Sequence, residues 1–439
     1  MMHLAWPSLV ENVSVTFLGM ASLMMVGRLG PPAVAAVGAG NQVAQLSLVA
    51  FNGLSVGNTA LVARAVGAGD FASARAISRQ ALAVGLVLAT LLGATGAFAA
   101  DLLLLLLTPD PEVRTLGSIY LRAAMLSLPL LVVLLVGNGS LRGAGDTRTP
   151  MVVTLAINVV NIAIAWALIF GAFGLPRLGV AGAAWGIVAA RLVGALLVLY
   201  VLFHGETPLS EQQRASPQCW WSWIALDGAI IRRLLSIGGP AAAESTSVQL
   251  GLMAFNVIVL RMGTAAYAAQ QLVFNVASLS MMPGQAFSVA ATTLVGQALG
   301  ARDPARARAA GWMAVRSASL WMALMGAVFL AFPEFFIRLY TSDPEVVRLG
   351  AVGMRVVGLG QPFQAAAFVL GGALRGAGAT RSTFIVGTLG VWLARVPCAY
   401  ALGHLAGWGV GGVWAGWAAD WLLRGSVLLH IFWRGSWQK

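Results

Sequence analysis

The stretch LRGAGDTRT at residues 141–149 returns as LRGAGATRS at 374–382, a constant 233 residues downstream. A nine-residue string rarely recurs by chance with two changes, and its register extends outward without a gap. Upstream, Pro7 matches Pro240, Glu11 matches Glu244, Met20 matches Met253, and Arg28 and Gly30 match Arg261 and Gly263. Ser47 and Thr59 match Ser280 and Thr292. Thr108, Asp110, Pro111 and Glu112 match Thr341, Asp343, Pro344 and Glu345, while Arg122 and Pro129 match Arg355 and Pro362. After a three-residue slip, GVAG at 179–182 resembles GVGG at 409–412. The chain is one module written twice.

Each copy reads as membrane-spanning. Of 439 residues, 59% are apolar and only 10% charged, with mean hydropathy +0.83. Soluble domains are about 45–50% apolar and about 25% charged. That excludes a water-soluble enzyme, and it excludes disorder, which needs low hydrophobicity and high charge. Apolar runs separated by polar or Gly/Pro punctuation predict twelve transmembrane helices. Six lie near 4–27, 33–65, 76–107, 112–137, 150–171 and 178–203; six more lie near 236–260, 266–298, 309–340, 345–370, 383–403 and 409–433. An even number per copy makes the repeat parallel, with a pseudo-two-fold axis along the membrane normal. The expected fold is an all-α polytopic membrane protein of two parallel six-helix bundles. Its lobes are 1–203 and 234–439, joined by a cytoplasmic linker at 204–233 whose Trp220, Trp221 and Trp223 suit an interfacial anchor. A substrate cavity is expected at the seam.

Net charge is +12, strung along short gaps instead of gathered into a patch, so nucleic acid is not an expected partner. With the N-terminus inside, cytoplasmic gaps hold 16 basic residues and outside gaps six. That predicts both termini in the cytoplasm. No cleavable signal peptide is expected ahead of the first span. Cys219 and Cys398 give no disulfide or metal spacing.

Several chemistries fail on residue type. A P-loop needs Lys, and Lys439 stands alone at the end. His3, His204, His404 and His430 are too scattered for zinc hydrolysis. The GxSxG string at Gly53–Gly57 lies mid-span, without the strand-turn-helix setting of a nucleophile elbow. A pore would need a ring of polar groups around a closed axis.

What remains are ionisable and polar groups within the membrane. A carboxylate there costs about 2.5–3.5 kcal/mol on insertion scales, so it often marks an ion path. Glu11 and Glu244 are repeat mates, each four residues after a helix-opening Pro. A dipole or backbone-holding role weighs about equally with coupling. For coupling, an apolar wall would let each carboxyl take up a proton near neutral pH and exchange it for a cationic substrate. Asp420 and Arg424, one helical turn apart, are expected to form an internal ion pair. Arg395, two residues before Pro397, is expected to support a bent helix. Gln42, Gln45, Asn158, Gln270, Gln271, Asn275, Met282 and Gln285 are the expected cavity lining. Neutral polar groups with adaptable Met suit loose recognition of varied apolar ligands, although helix–helix hydrogen bonding is the commoner use of any one of them.

The doubled LRGAG loops, VGRLG at 26–30, SVAATTLVGQALGARDPARAR at 288–308 and NVVNIAIAWALIFG at 158–171 resemble the multidrug and toxic compound extrusion (MATE) family over essentially the whole chain. The resemblance implies a bacterial inner-membrane antiporter with a V-shaped cavity, working by rocking alternating access. It implies export of amphiphilic, often cationic compounds in exchange for H+ or Na+. No cofactor is implied beyond that ion, the bilayer and a small molecule are the partners, and a monomer is expected. A related fold flips lipid-linked saccharides, but a flippase cavity should be basic, and few Arg lie mid-span. The family's N-lobe cation site is incomplete here. Asn161 matches its Asn, but Ser22, Ala165 and Ile187 stand where Asp, Asp and Thr are usual, and Val248 replaces a helix-seven acid. Glu11, Glu244 and Asn161 are therefore the expected cation-coupling residues.

Overall fold

The computed structural model describes residues 1–204 and 227–438, and among them every regular element is helical. Most of the expected linker, with Trp220, Trp221 and Trp223, lies outside the described residues. From Gly228 onward it is already helix, the start of Gly228–Leu260.

Among the described residues, ten helices are long and apolar enough to cross a bilayer unaided. Pro111–Leu126 and Leu128–Ala144 form an eleventh span with a 47° bend. The twelfth is Val410–Arg434, 25 residues long, which carries Asp420 and Arg424 in its middle. Both halves have the same order of elements, six spans each. The bend in span four follows from Pro129, which cannot donate a backbone hydrogen bond, and Ser127 ends the first segment. Its mate Pro362 sits inside an unbroken helix, Pro344–Gly376. Spans two and eight, Pro31–Gly67 and Thr264–Gly300, each have 37 residues. At 1.5 Å per residue that exceeds the roughly 30 Å apolar core, so they tilt or protrude.

Several contacts recur in both halves. Asp70 caps span three through the Ser73 amide at 2.9 Å, and Asp303 caps span nine through the Arg306 amide at 2.8 Å. Asp110 and Asp343 cap spans four and ten through the Glu112 and Glu345 amides, both at 2.9 Å. Such caps are each worth about 1 kcal/mol. Ser55 donates to the Leu135 carbonyl and Ser288 to the Phe368 carbonyl, both at 2.8 Å. Thr59 and Thr292 donate to the Gly139 and Gly372 carbonyls at 3.0 and 2.9 Å. Gly143 and Gly376 lie so close to the Thr59 and Thr292 carbonyls that a Cβ would collide. These small residues let spans two and four, and eight and ten, approach closely. Ser55 is the serine of the GxSxG string, and its hydroxyl is spent on packing.

Two compact units result, Val10–Gly238 and Met1–Leu9 with Gly239–Lys439. The division falls inside the first and seventh helices. Ala5 belongs to the core that holds Phe255, Phe329, Trp414 and Phe432. Leu234 belongs to the core built on Phe51, Leu104, Leu121 and Leu128.

Candidate functional site

Glu11 and Glu244 are each held by an arginine of their own unit. Arg142 Nη2 lies 2.5 Å from Glu11 Oε1, and Arg375 Nη1 lies 3.4 Å from Glu244 Oε1. Both arginines come from the duplicated LRGAG string. A threonine completes each group: Thr154 donates to Glu11 at 3.2 Å and Thr383 to Glu244 at 2.8 Å. Gly387 leaves room for the Glu244 side chain, which its Cβ would press at 3.1 Å. The expected apolar wall is thus replaced by an ion pair in both units. The loop arginines were expected to remain in the cytoplasm, yet they reach back into the helical body. The carboxylate's negative charge is met by a guanidinium, which a carboxylate leaving water requires. The missed signal was the equal separation of the two Glu–Arg pairs, 131 residues in each copy.

A second charged cluster lies inside the C-terminal unit. Asp420 is fully buried. Arg424 Nε reaches its Oδ1 at 2.5 Å, as the one-turn spacing predicts, and Arg395 Nη2 reaches its Oδ2 at 2.6 Å from span eleven. The sequence reading missed this second contact. Span eleven, Thr380–Leu405, is interrupted by π-helical turns at Gly390–Arg395 and Ala401–Leu405. Their i→i+5 bonding brings residues five apart toward one face, so Gly390 and Arg395 both meet Asp420; such turns favour functional positions. A Cβ on Gly390 would collide with the Asp420 carboxylate and the Arg424 guanidinium. The Arg395 guanidinium lies 5.9 Å from the Phe255 ring centre and 5.6 Å from that of Trp421. Arg424 lies 5.2 Å from the Trp421 ring.

The same place in the N-terminal unit is apolar. Gly186 abuts Ala165 as Gly416 abuts Ala399, which makes those alanines mates. Four residues earlier, Asn161 is then the mate of Arg395. Ala190 and Gly194 are the mates of Asp420 and Arg424. Ile157 packs into the space over Gly194. Ala165 is 2% exposed, so no carboxylate stands at the place the resemblance would give one. A half-buried arginine of this unit, Arg191, donates to Ser127 Oγ at 2.6 Å and to the Ala124 carbonyl at 3.0 Å. It holds the break in span four.

The expected cavity lining divides. Gln42, Gln45, Asn275 and Gln285 are exposed, and Gln271 and Met282 are half-buried. Gln270 and Asn158 are enclosed within their units, so they are interior groups and not surface lining. Gln270 donates to Asn256 at 2.6 Å. Asn161 is likewise buried, in span five. A separate open pocket of about 600 Å³ in the C-terminal unit is lined by Glu345, Arg348, Trp408 and Met262, among others. It contains none of the expected residues. Among the described residues no cluster of His, Cys, Asp and Glu could hold a metal.

A family model described as MatE matches residues 7–167 and 240–401, one segment in each half. The chain is 33% identical to a probable multidrug resistance protein NorM of Thermotoga maritima, over 100% of this chain and 93% of that protein. It is 30% identical to the multidrug resistance protein PmpM of Pseudomonas aeruginosa, over 95% and 87%. A solved structure described as the outward-facing conformation of a multidrug resistance MATE family transporter superposes with TM-score 0.89 at 23% identity, covering 99% of this chain and 95% of that one.

Proposed function

The chain belongs to the MatE family, and we propose that it exports amphiphilic, often cationic compounds in exchange for H+ or Na+ by alternating access. The observation that carries this reading is its full-length relation to proteins described as multidrug resistance proteins. The exposed Gln42, Gln45, Asn275 and Gln285 on otherwise apolar spans suit loose recognition of such cargo. The cargo is bound and released unchanged, with no covalent step. The membrane is the plasma membrane of a bacterium, with both termini cytoplasmic, as the 16-to-6 distribution of basic residues supports.

Coupling requires that a cation bind one facing state better than the other. The Glu–Arg pairs offer that difference in a specific form. The cation competes with the arginine for the carboxylate, so each carboxylate alternates between two positive partners. Glu244 is the better placed of the two. Its arginine stands off at 3.4 Å against 2.5 Å for Glu11, and the Thr383 hydroxyl supplies a second oxygen at 2.8 Å. Asn161 contributes a neutral amide in the N-terminal unit.

The test is efflux of an amphiphilic cationic dye from cells lacking their own pumps, with and without a sodium gradient and with a protonophore. The expected result is efflux that stops when one of the two gradients is removed. Efflux indifferent to both, or none at all from cells in which the protein is correctly inserted, would contradict the reading.

A further inference from the structure

Two guanidiniums and one carboxylate meet at Arg395, Asp420 and Arg424, so this cluster carries one excess positive charge inside the C-terminal unit. Burial of an unbalanced charge is costly. The faces of Trp421 and Phe255 meet part of it. The rest is unmet. Arg395 Nε, Arg424 Nη2 and Trp421 Nε1 are buried donors without a hydrogen-bond partner, and Asp420 Oδ2, which meets Arg395 as an ion pair, is a buried acceptor without one. Gln364 lacks a partner at both its amide nitrogen and its oxygen and is fully buried. It shares a helix face with Gly360 and Phe368, four residues to either side, which touch Trp417 and Trp421.

We propose that this cluster binds a small monovalent anion. One negative charge matches the excess. The free groups are mainly N–H donors, which suits a halide-like acceptor, and two guanidiniums repel a cation. Gly390 makes room for the cluster itself, since a side chain there would collide with Asp420 and Arg424. At the corresponding place in the other unit, Ile157 fills that space and no charge is present. The bound anion would neutralise the cluster and tie span eleven to span twelve. This goes beyond the transport reading and does not depend on which cation drives it.

The experiment uses the purified full chain in detergent. Chloride replaces gluconate at constant sodium and ionic strength while thermal unfolding is followed. The expected result is a saturable rise of several degrees in the unfolding midpoint, which bromide reproduces. Arg395→Gln leaves Asp420 and Arg424 as a neutral pair and should abolish the response. Trp421→Phe keeps a ring and removes one donor, which should raise the half-effective chloride concentration about tenfold, the weight of one charge-assisted hydrogen bond. A wild-type protein without a saturable chloride response overturns the proposal. So does a wild-type response persisting in Arg395→Gln. If that variant does not fold, Trp421→Phe decides, and an unchanged half-effective concentration counts against the site.

Discussion

At one place in the repeat the two halves solve the same packing problem in opposite ways. The N-terminal unit seats Ile157 over Gly194; the C-terminal unit puts Gly390 on span eleven and fills the space with Arg424, Asp420 and Arg395. The backbone frame is shared, since Gly186 and Gly416 abut matching alanines. Duplication has therefore kept the small residues that set helix approach and freed the side chains between them. Charge concentrates in one copy, and with it the π-helical turns that orient Arg395. A second contrast lies at the Glu–Arg pairs, where the duplicated residues all remain but the spacing differs by about an ångström. The lesson is that one place has diverged in chemistry, while the other keeps its ion pair and changes its tightness and the helix position of its threonine.

The largest effect that sharpens this contrast comes from Asp420→Ala. It leaves two buried guanidiniums without their carboxylate and should cost about 3–5 kcal/mol, read as a lower unfolding midpoint and a loss of monodisperse protein. Ala190→Ser at the mate position should change stability little. Next, Gly390→Ile alone overpacks the site and should cost about 1–3 kcal/mol. Combined with Arg424→Gly, which transplants the N-terminal solution, part of that loss should return. If the double variant is no better than the single one, the two places are not equivalent. The smallest effect is Ser127→Ala, which removes the hydroxyl that Arg191 holds at the break in span four. It should cost about 1 kcal/mol. The corresponding helix in the other unit is unbroken, and Gly360→Ala there presses on Trp417 instead.

Much of the fold was legible in the sequence because duplication and hydropathy are both one-dimensional signals. The twelve spans and the Asp420–Arg424 pair follow from local spacing. Arg395 and the glutamate partners did not. Arg395 meets Asp420 only because a π turn changes its facing, and no residue pattern announced that turn beyond the nearby Pro397. Arg142 and Arg375 lie 131 residues from their glutamates, and positive-inside reasoning assigns loop arginines to water. Gln270 and Asn158 read as lining because hydropathy cannot distinguish a polar group facing a chamber from one buried inside a bundle.

The central claim is that a cation displaces arginine from a duplicated carboxylate, more readily at Glu244 than at Glu11. The direct measurement is substrate-driven H+ and Na+ movement in proteoliposomes containing wild type, Glu11→Gln or Glu244→Gln, each checked for intact folding. The account predicts that Glu244→Gln abolishes coupled cation movement and that Glu11→Gln weakens it less. Cation movement equal to wild type in both variants would contradict it.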